Sequence, residues 1–315
     1  MPKHDTRETA RRGLMRGLRL FWTLFKVMAP TYIAVSVLKT TPFLDVASRA
    51  VEPVMRLAGL PPAAAVPLVV GFCVNLYAAI GAMQSLHLNA EQTTQIAVVM
   101  LIAHNLIVEV GIVARLRTRW LLIGLFRVGM GFAMGALMHY AFGFNSGPAA
   151  STGAGAVVLR HTADAAYWQA EAVSLGQTLL KTFCIVVPLM TVLEFVRTGP
   201  WLDRLTAATA RPLRALGLER ESILPFWAGI ILGIAYGAGL MIDAAENDGF
   251  GGRQAFLVSV FLGVAHALIE DTLLFVSIGA SLFWVFAPRV AAACFLTWVC
   301  SRLLARRQTC AVPDS

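Results

Sequence analysis

Charge is what this sequence has least of: Asp, Glu, Lys and Arg make up 14% of its 315 residues, against about 25% in soluble domains. With 57% hydrophobic residues and a mean hydropathy of +0.69, that shortage excludes an ordinary water-soluble globule. Cysteine is sparse as well. Cys73, Cys184, Cys294, Cys300 and Cys310 form no Cys-x-x-Cys or zinc-type spacing, so neither a disulfide framework nor a redox motif is indicated. There is no His-Glu-x-x-His, no nucleotide-binding glycine-rich loop and no soluble catalytic domain. Those absences argue against an enzyme, and against an internal ATPase or GTPase. No cofactor is implied. No small-residue cleavage signature follows the first apolar run, which is expected to be a retained anchor.

What is present is a series of apolar runs: Phe21–Leu38, Ala63–Met83, Thr93–Ala114, Trp120–Phe142, Leu175–Val196, Ile223–Ile242, Ala255–Ile278 and Ser281–Leu303. Each approaches the roughly 20 residues that a helix needs to cross a bilayer core. Eight such runs predict an all-α, polytopic membrane helix bundle whose main partner is the lipid bilayer. The net charge of +8 falls between the runs and not along one soluble face, so no nucleic-acid partner is expected. Lys3, Arg7, Arg11, Arg12, Arg16 and Arg19 precede the first run. By the positive-inside rule they place the amino terminus in the cytoplasm, for a chain in the cytoplasmic (inner) membrane.

The chain also repeats itself, which is the first thing to seek in any sequence. Lys39-Thr-Thr-Pro-Phe-Leu-Asp45 matches Arg197-Thr-Gly-Pro-Trp-Leu-Asp203 at an offset of 158 (197 − 39). The same offset pairs Pro30 with Pro188, Arg56-x-x-Gly59-Leu60 with Arg214-x-x-Gly217-Leu218, Pro67 with Pro225, Gly71 with Gly229 and Met83 with Met241. After an insertion around Asn247–Gly252 the offset becomes 162 (266 − 104), pairing Ala103-His104-Asn105-Leu-Ile107 with Ala265-His266-Ala267-Leu-Ile269, Glu109 with Asp271, and Arg127 with Arg289. Five segments follow: a basic amino-terminal segment (1–19), a first membrane repeat (20–142), a linker (143–174), a second repeat (175–303) and a tail (304–315). Within the first repeat, Asp45, Arg49, Glu52 and Arg56 fall on one stripe of an expected amphipathic helix.

Both halves resemble the nucleoside-recognition, or gate, domain family. Gly71-Phe-Cys-Val-Asn75-Leu-Tyr77-Ala-Ala-Ile-Gly81, followed by Ala103-His104-Asn105-Leu-Ile-Val-Glu109, carries the likeness. That domain is similar to parts of concentrative nucleoside transporters, the membrane portion of the ferrous-iron transporter and spore-maturation membrane proteins. The resemblance implies a permease-type or accessory membrane role. In the second half Asn75 is replaced by Gly233 and Asn105 by Ala267.

If all eight runs cross the membrane, the basic turn Arg115–Arg119 and the linker with Arg197, Arg204, Arg211, Arg214 and Arg220 fall outside. If Ala63–Met83 and Ile223–Ile242 are re-entrant or broken, the halves are inverted and these clusters are cytoplasmic. Only Lys39, Arg49 and Arg56 then sit on the wrong side. Inverted repeats with broken helices are a recurrent transporter plan, and Pro67, Gly71, Asn75 and Gly81 are the expected break points. The alternative is two ordinary helices packed through Gly229, Gly233 and Gly237.

Intramembrane charges cost about 2.5–3.5 kcal/mol each on insertion scales, so they need partners or a task. Glu109 and Arg127 lie at similar depth on a helical hairpin, as do Asp271 and Arg289. They are expected either as structural ion pairs or as the frame of a polar site. His104 and His266, matched in the repeat, add titratable groups, and Glu270 shares a helix face with His266. The expected substrate- or ion-binding residues are His104, Asn105, Glu109, His266, Glu270, Asp271 and Asn75, with Arg127 and Arg289 as ion-pair or anion contacts. Such a site could bind a cation or pass a proton. Glu194 is expected to pair locally with Arg197, and Arg160, His161 and Asp164 to be solvated. The sequence points to a secondary transporter of a small solute (nucleoside-like) or cation, with a non-transporting scaffold as the alternative. A homo-oligomer is compatible with it.

Overall fold

The computed structural model describes residues 6–41, 52–86, 88–114, 120–144, 164–198, 201–233 and 251–309, and among these there is no strand. The Arg115–Arg119 turn, Asp45 and Arg49, Arg160 and His161, Gly237, Met241 and most of the Asn247–Gly252 insertion lie outside the described residues. The helices of the first repeat are α1 (Thr6–Leu38), α2 (Ala65–Cys73, led in by the 3-10 turn Pro62–Ala64), α3 (Leu76–Ser85), α4 (Ala90–Ala103), α5 (Leu106–Ala114) and α6 (Trp120–Phe142). Those that follow are α7 (Ala165–Thr198), α8 (Trp201–Ala215), α9 (Arg220–Leu232), α10 (Gly252–Ala265), α11 (Glu270–Ser277) and α12 (Leu282–Thr309). Helix α1 starts at Thr6, so the basic amino-terminal segment is continuous with the first apolar run. Both first helices of the repeats carry an interior proline, Pro30 in α1 and Pro188 in α7.

Among the described residues, six stretches are long and apolar enough to cross a membrane: Thr6–Leu38, Ala90–Gly111, Leu121–Phe142, Ala165–Val192, Gly252–Ser277 and Leu282–Ala305. The other two apolar runs are not single helices among the described residues. Ala63–Met83 is cut between α2 and α3, and the helix in Ile223–Ile242 stops at Leu232. Apolar side chains such as Leu121, Leu122 and Leu125 lie on the outside, Leu125 at 64% exposure, while Arg127 and Arg289 are 1% and 0% exposed. A bilayer solvent demands that distribution, because lipid accepts leucine and not guanidinium.

The repeat survives in local geometry. Helix-ending glycines Gly59 and Gly217 both have positive φ. Leu60 N–H bonds to Met55 O at 2.9 Å and Leu218 N–H to Leu213 O at 3.1 Å. This is the Schellman C-cap, in which a residue without Cβ turns left-handed and a 6→1 bond closes the end. A short helical stretch at 52–57 and helix α8 lead into these two caps.

Backbone proximity divides the chain into two compact units that do not follow the repeat boundaries. One unit holds Met1–Asn105, Val128–Thr198 and Thr272–Val285. The other holds Leu106–Arg127, Gly199–Asp271 and Phe286–Ser315. On the 162 offset, 106–127 corresponds to 268–289. Each repeat therefore contributes most of this hairpin segment to the unit built mainly from the other.

In the first unit, α1 packs on α7 through small residues. A Cβ on Gly13 would sit 2.6 Å from Thr191 Cα, and one on Gly17 2.9 Å from Val187 Cα. This is the close small-xxx-small approach of membrane helices. Gly81, expected as a break point, instead lies inside α3, where a Cβ would be 2.7 Å from Met28 O of α1. Its role is close packing.

Candidate functional site

The site is built around helix breaks. In the first unit, α2 ends at Cys73, and Asn75 reopens the chain as the N-cap of α3, its Oδ1 accepting from Ala78 N–H at 2.8 Å. Asparagine suits this place because its side-chain oxygen satisfies an N–H left without a helical partner. Helix α4 ends at His104, and Asn105 takes a left-handed φ of 52° before α5 begins. Asn105 N–H then bonds to Gly71 O at 2.8 Å. The carbonyl released where α2 stops is thus taken up by the N–H released where α4 stops.

The second unit repeats the device. Gly233 ends α9 with φ 91°, and Ala267, after the His266 cap of α10, has φ 43°. Ala267 N–H bonds to Gly229 O at 3.1 Å, and Leu268 N–H to Ile230 O at 2.9 Å. Gly71 and Gly229 are repeat partners, as are Asn105 and Ala267. Both breaks meet the rule that irregular backbone at membrane depth must be satisfied inside protein.

Six of the predicted site residues fall in the second unit: Glu109, Arg127, His266, Glu270, Asp271 and Arg289. The Glu109 carboxylate meets Arg127 Nη1 at 2.6 Å through Oε2 and His266 Nε2 at 3.2 Å through Oε1. All three side chains are buried. The other ring nitrogen of His266, Nδ1, lies 2.6 Å from Leu262 O, one turn back on α10. Glu109 lies in the first turn of α5, and Glu270 and Asp271 in that of α11. Carboxylates are favoured there by the positive helix end.

Arg289, expected opposite Asp271, donates from Nε to Val264 O at 3.2 Å and from Nη2 to His266 O at 3.3 Å. These are carbonyls at the open C-terminal end of α10, where a cation also offsets the negative helix end. Asp271 lies within charge–charge reach of Arg289, Glu270 and Glu109. Glu270 is half-buried. His104, Asn105 and Asn75 belong to the first unit, where His104 Nδ1 lies 3.1 Å from Met100 O.

Sequence reasoning missed a second buried cluster, in the first unit. Lys39 Nζ pairs with Glu171 Oε1 at 2.7 Å and also donates to Ser85 O. Ser36 Oγ donates to Glu171 Oε2 at 2.7 Å, and Tyr167 hydroxyl to Ser36 O at 2.7 Å. Lys39, a basic residue on the wrong side of the membrane in the inverted arrangement, is buried against a carboxylate. Glu194, expected to pair with Arg197, accepts from Arg16 of α1; the Arg197 side chain is outside the described residues. Asp164 caps the start of α7 through Tyr167 N–H at 2.8 Å.

The nucleoside-recognition (Gate) family pattern matches residues 21–119, the greater part of the first repeat. No solved structure matches the chain. The uncharacterized membrane protein YvoD of Bacillus subtilis (strain 168) is 33% identical over 288 residues, covering 90% of this chain and 91% of its own length. With that likeness along nearly the whole chain, and with broken helices inside the matched segment, the chain belongs to the nucleoside-recognition (Gate) family of membrane proteins.

Proposed function

We propose that this membrane protein is a secondary transporter or permease, not an enzyme, and that Glu109, His266, Glu270 and Asp271 belong to its binding site. One observation carries the reading: a buried carboxylate is shared by an imidazole and a guanidinium beside interrupted helices. Charges at membrane depth without a task are selected against by their insertion cost. Discontinuous helices whose ends face a polar site are how many secondary transporters hold their cargo. On the repeat, His104 is the counterpart of His266 and is proposed to play the matching part within the first unit, where Asn75 and Asn105 shape the backbone at the breaks. Arg127 and Arg289 hold the acidic groups and helix ends in place.

The cargo class is a small solute, nucleoside-like or cationic. The test is uptake into proteoliposomes across a panel of nucleosides and divalent cations, with and without a pH gradient. Uptake of one class that is lost in His266→Gln supports the proposal. A folded, reconstituted protein that moves none of them favours the second reading, a membrane scaffold. That reading draws on the Lys39–Glu171 cluster, a buried pair whose hydrogen bonds tie Ser36, Ser85 and Tyr167 together.

The repeats are proposed to be inverted, with the amino terminus and the Arg115–Arg119 turn in the cytoplasm of an inner-membrane protein. Single cysteines at Arg117 and Ser277 are expected to label from opposite sides. Labelling of both from one side rules the inverted arrangement out.

A further inference from the structure

We infer that Glu109 and His266 together hold one exchangeable proton, and that this proton is the coupling ion of the transport proposed above. The argument is a count of hydrogens. His266 Nδ1 faces the Leu262 carbonyl at 2.6 Å. A carbonyl oxygen offers only lone pairs, so Nδ1 carries a hydrogen. A neutral imidazole with its hydrogen on Nδ1 has a bare lone pair on Nε2. Yet Nε2 lies 3.2 Å from Glu109 Oε1, and an ionised carboxylate also offers only lone pairs. Two lone pairs cannot make this contact. One more hydrogen lies between the atoms, on Nε2 as imidazolium or on Oε1 as carboxylic acid.

The contact therefore exists only while the pair holds one proton beyond the neutral-imidazole, carboxylate state. Uptake adds one proton and one positive charge. Release returns both to water and leaves two opposed lone pairs, which drives the groups apart. No electron is transferred and no bond other than N–H or O–H changes. Arg127 on α6 meets the second carboxylate oxygen at 2.6 Å, so the carboxylate keeps a fixed partner in either state. Other charged groups of the same unit are Glu270 and Asp271 on α11 and Arg289 on α12. His266 is the cap at the break after α10, so its ring and the backbone bend at Ala267 are adjacent in the chain. Gain or loss of the proton thereby acts on the segment whose geometry the break controls.

The test uses the full chain in lipid nanodiscs with ¹⁵N-labelled histidine, His266 being assigned by its loss in His266→Gln. The pH is varied across the range where free carboxyl and imidazole groups titrate, about 4 to 7, and two units beyond. The expected result is Nδ1 protonated throughout, with Nε2 changing state in step with a Glu109 carboxyl signal in ¹³C-edited infrared spectra. In Glu109→Gln the side-chain amide donates to Nε2 without a proton from water, so the pH-dependent change disappears while the tautomer persists. His139→Gln, at a histidine near the end of α6 and outside the proposed site, serves as the control that leaves the His266 titration in place. A His266 signal with the hydrogen on Nε2 alone, or a titration unchanged in Glu109→Gln, overturns the proton site. A divalent cation that abolishes the titration by binding Nε2 directly overturns it as well. Proton flux into dye-loaded proteoliposomes separates the two levels. A confirmed titration with no solute-linked flux retains the proton site and removes the coupling role; solute-linked flux undiminished in Glu109→Gln places the coupling elsewhere.

Discussion

Two clusters of buried charge differ in one respect. In the first unit Lys39 and Glu171 meet through fixed donors: ammonium on carboxylate, serine on carboxylate, ammonium on the Ser85 carbonyl and tyrosine on the Ser36 carbonyl. None of those bonds depends on adding a proton to neutral water-equilibrated groups, and all join α1, α3 and α7. In the second unit the Glu109–His266 contact does depend on one, and it sits at a break. Burial of charge does not by itself mark function. The number of protons that a contact requires separates a clamp from a candidate working site.

The largest effect expected from testing that contrast is at the clamp. Glu171→Ala leaves a buried lysine without its carboxylate, which typically costs about 3–5 kcal/mol. A sharp fall in the melting temperature of detergent-solubilised protein is expected, with much of it restored in the Lys39→Met, Glu171→Met double variant. Glu109→Gln, which keeps the shape and a donor toward His266, is expected to melt closer to the parent. The contrast breaks if Glu109→Gln is the more damaging change.

Next in size is the packing under the clamp. Gly81→Ala places a methyl 2.7 Å from Met28 O, a backbone atom that cannot rotate away. Overpacking of this kind costs about 1–3 kcal/mol. The measurement is the same melting assay, and an unchanged midpoint contradicts the close approach of α1 and α3. Asn75→Ala removes the cap of α3 and is expected to cost about 1 kcal/mol, whereas Asn75→Ser, which can also cap, is expected to recover most of it. The smallest effect compares the breaks. A left-handed alanine costs about 1–2 kcal/mol, and glycine returns part of that gain through unfolded-chain entropy, about 0.4–1 kcal/mol. Ala267→Gly is therefore expected to raise stability slightly, and Asn105→Ala to lower it.

The sequence disclosed those features that depend on local chemistry. Arg-x-x-Gly-Leu appeared twice and gave two matching helix caps, because positive φ after a helix selects glycine within a few residues. Asn75 marked a break for a related reason: an asparagine inside an apolar run has an N–H group to cap. The equivalence of Asn105 with Ala267 concealed their shared left-handed geometry, since alanine carries no signal for it. Contacts distant in sequence were illegible. Nothing near Lys39 indicates Glu171, and nothing near Glu194 indicates Arg16, because each partner is brought by another helix. Gly81 was misjudged because a glycine that permits bending and a glycine that permits close approach look alike in one chain. His266 and Glu109 stand out in the sequence, but their direct contact does not, because spacing pairs His266 with Glu270 on its own helix face and Glu109 with Arg127 on its own hairpin.

The placement of 106–127 with the residues of the later repeat bears on how the protein is made. When the first hairpin leaves the ribosome, Glu109 has Arg127 in the same segment, but His266 and the rest of that unit are still untranslated. The early ion pair allows that hairpin to enter the bilayer with its charge balanced while it waits for its remaining neighbours.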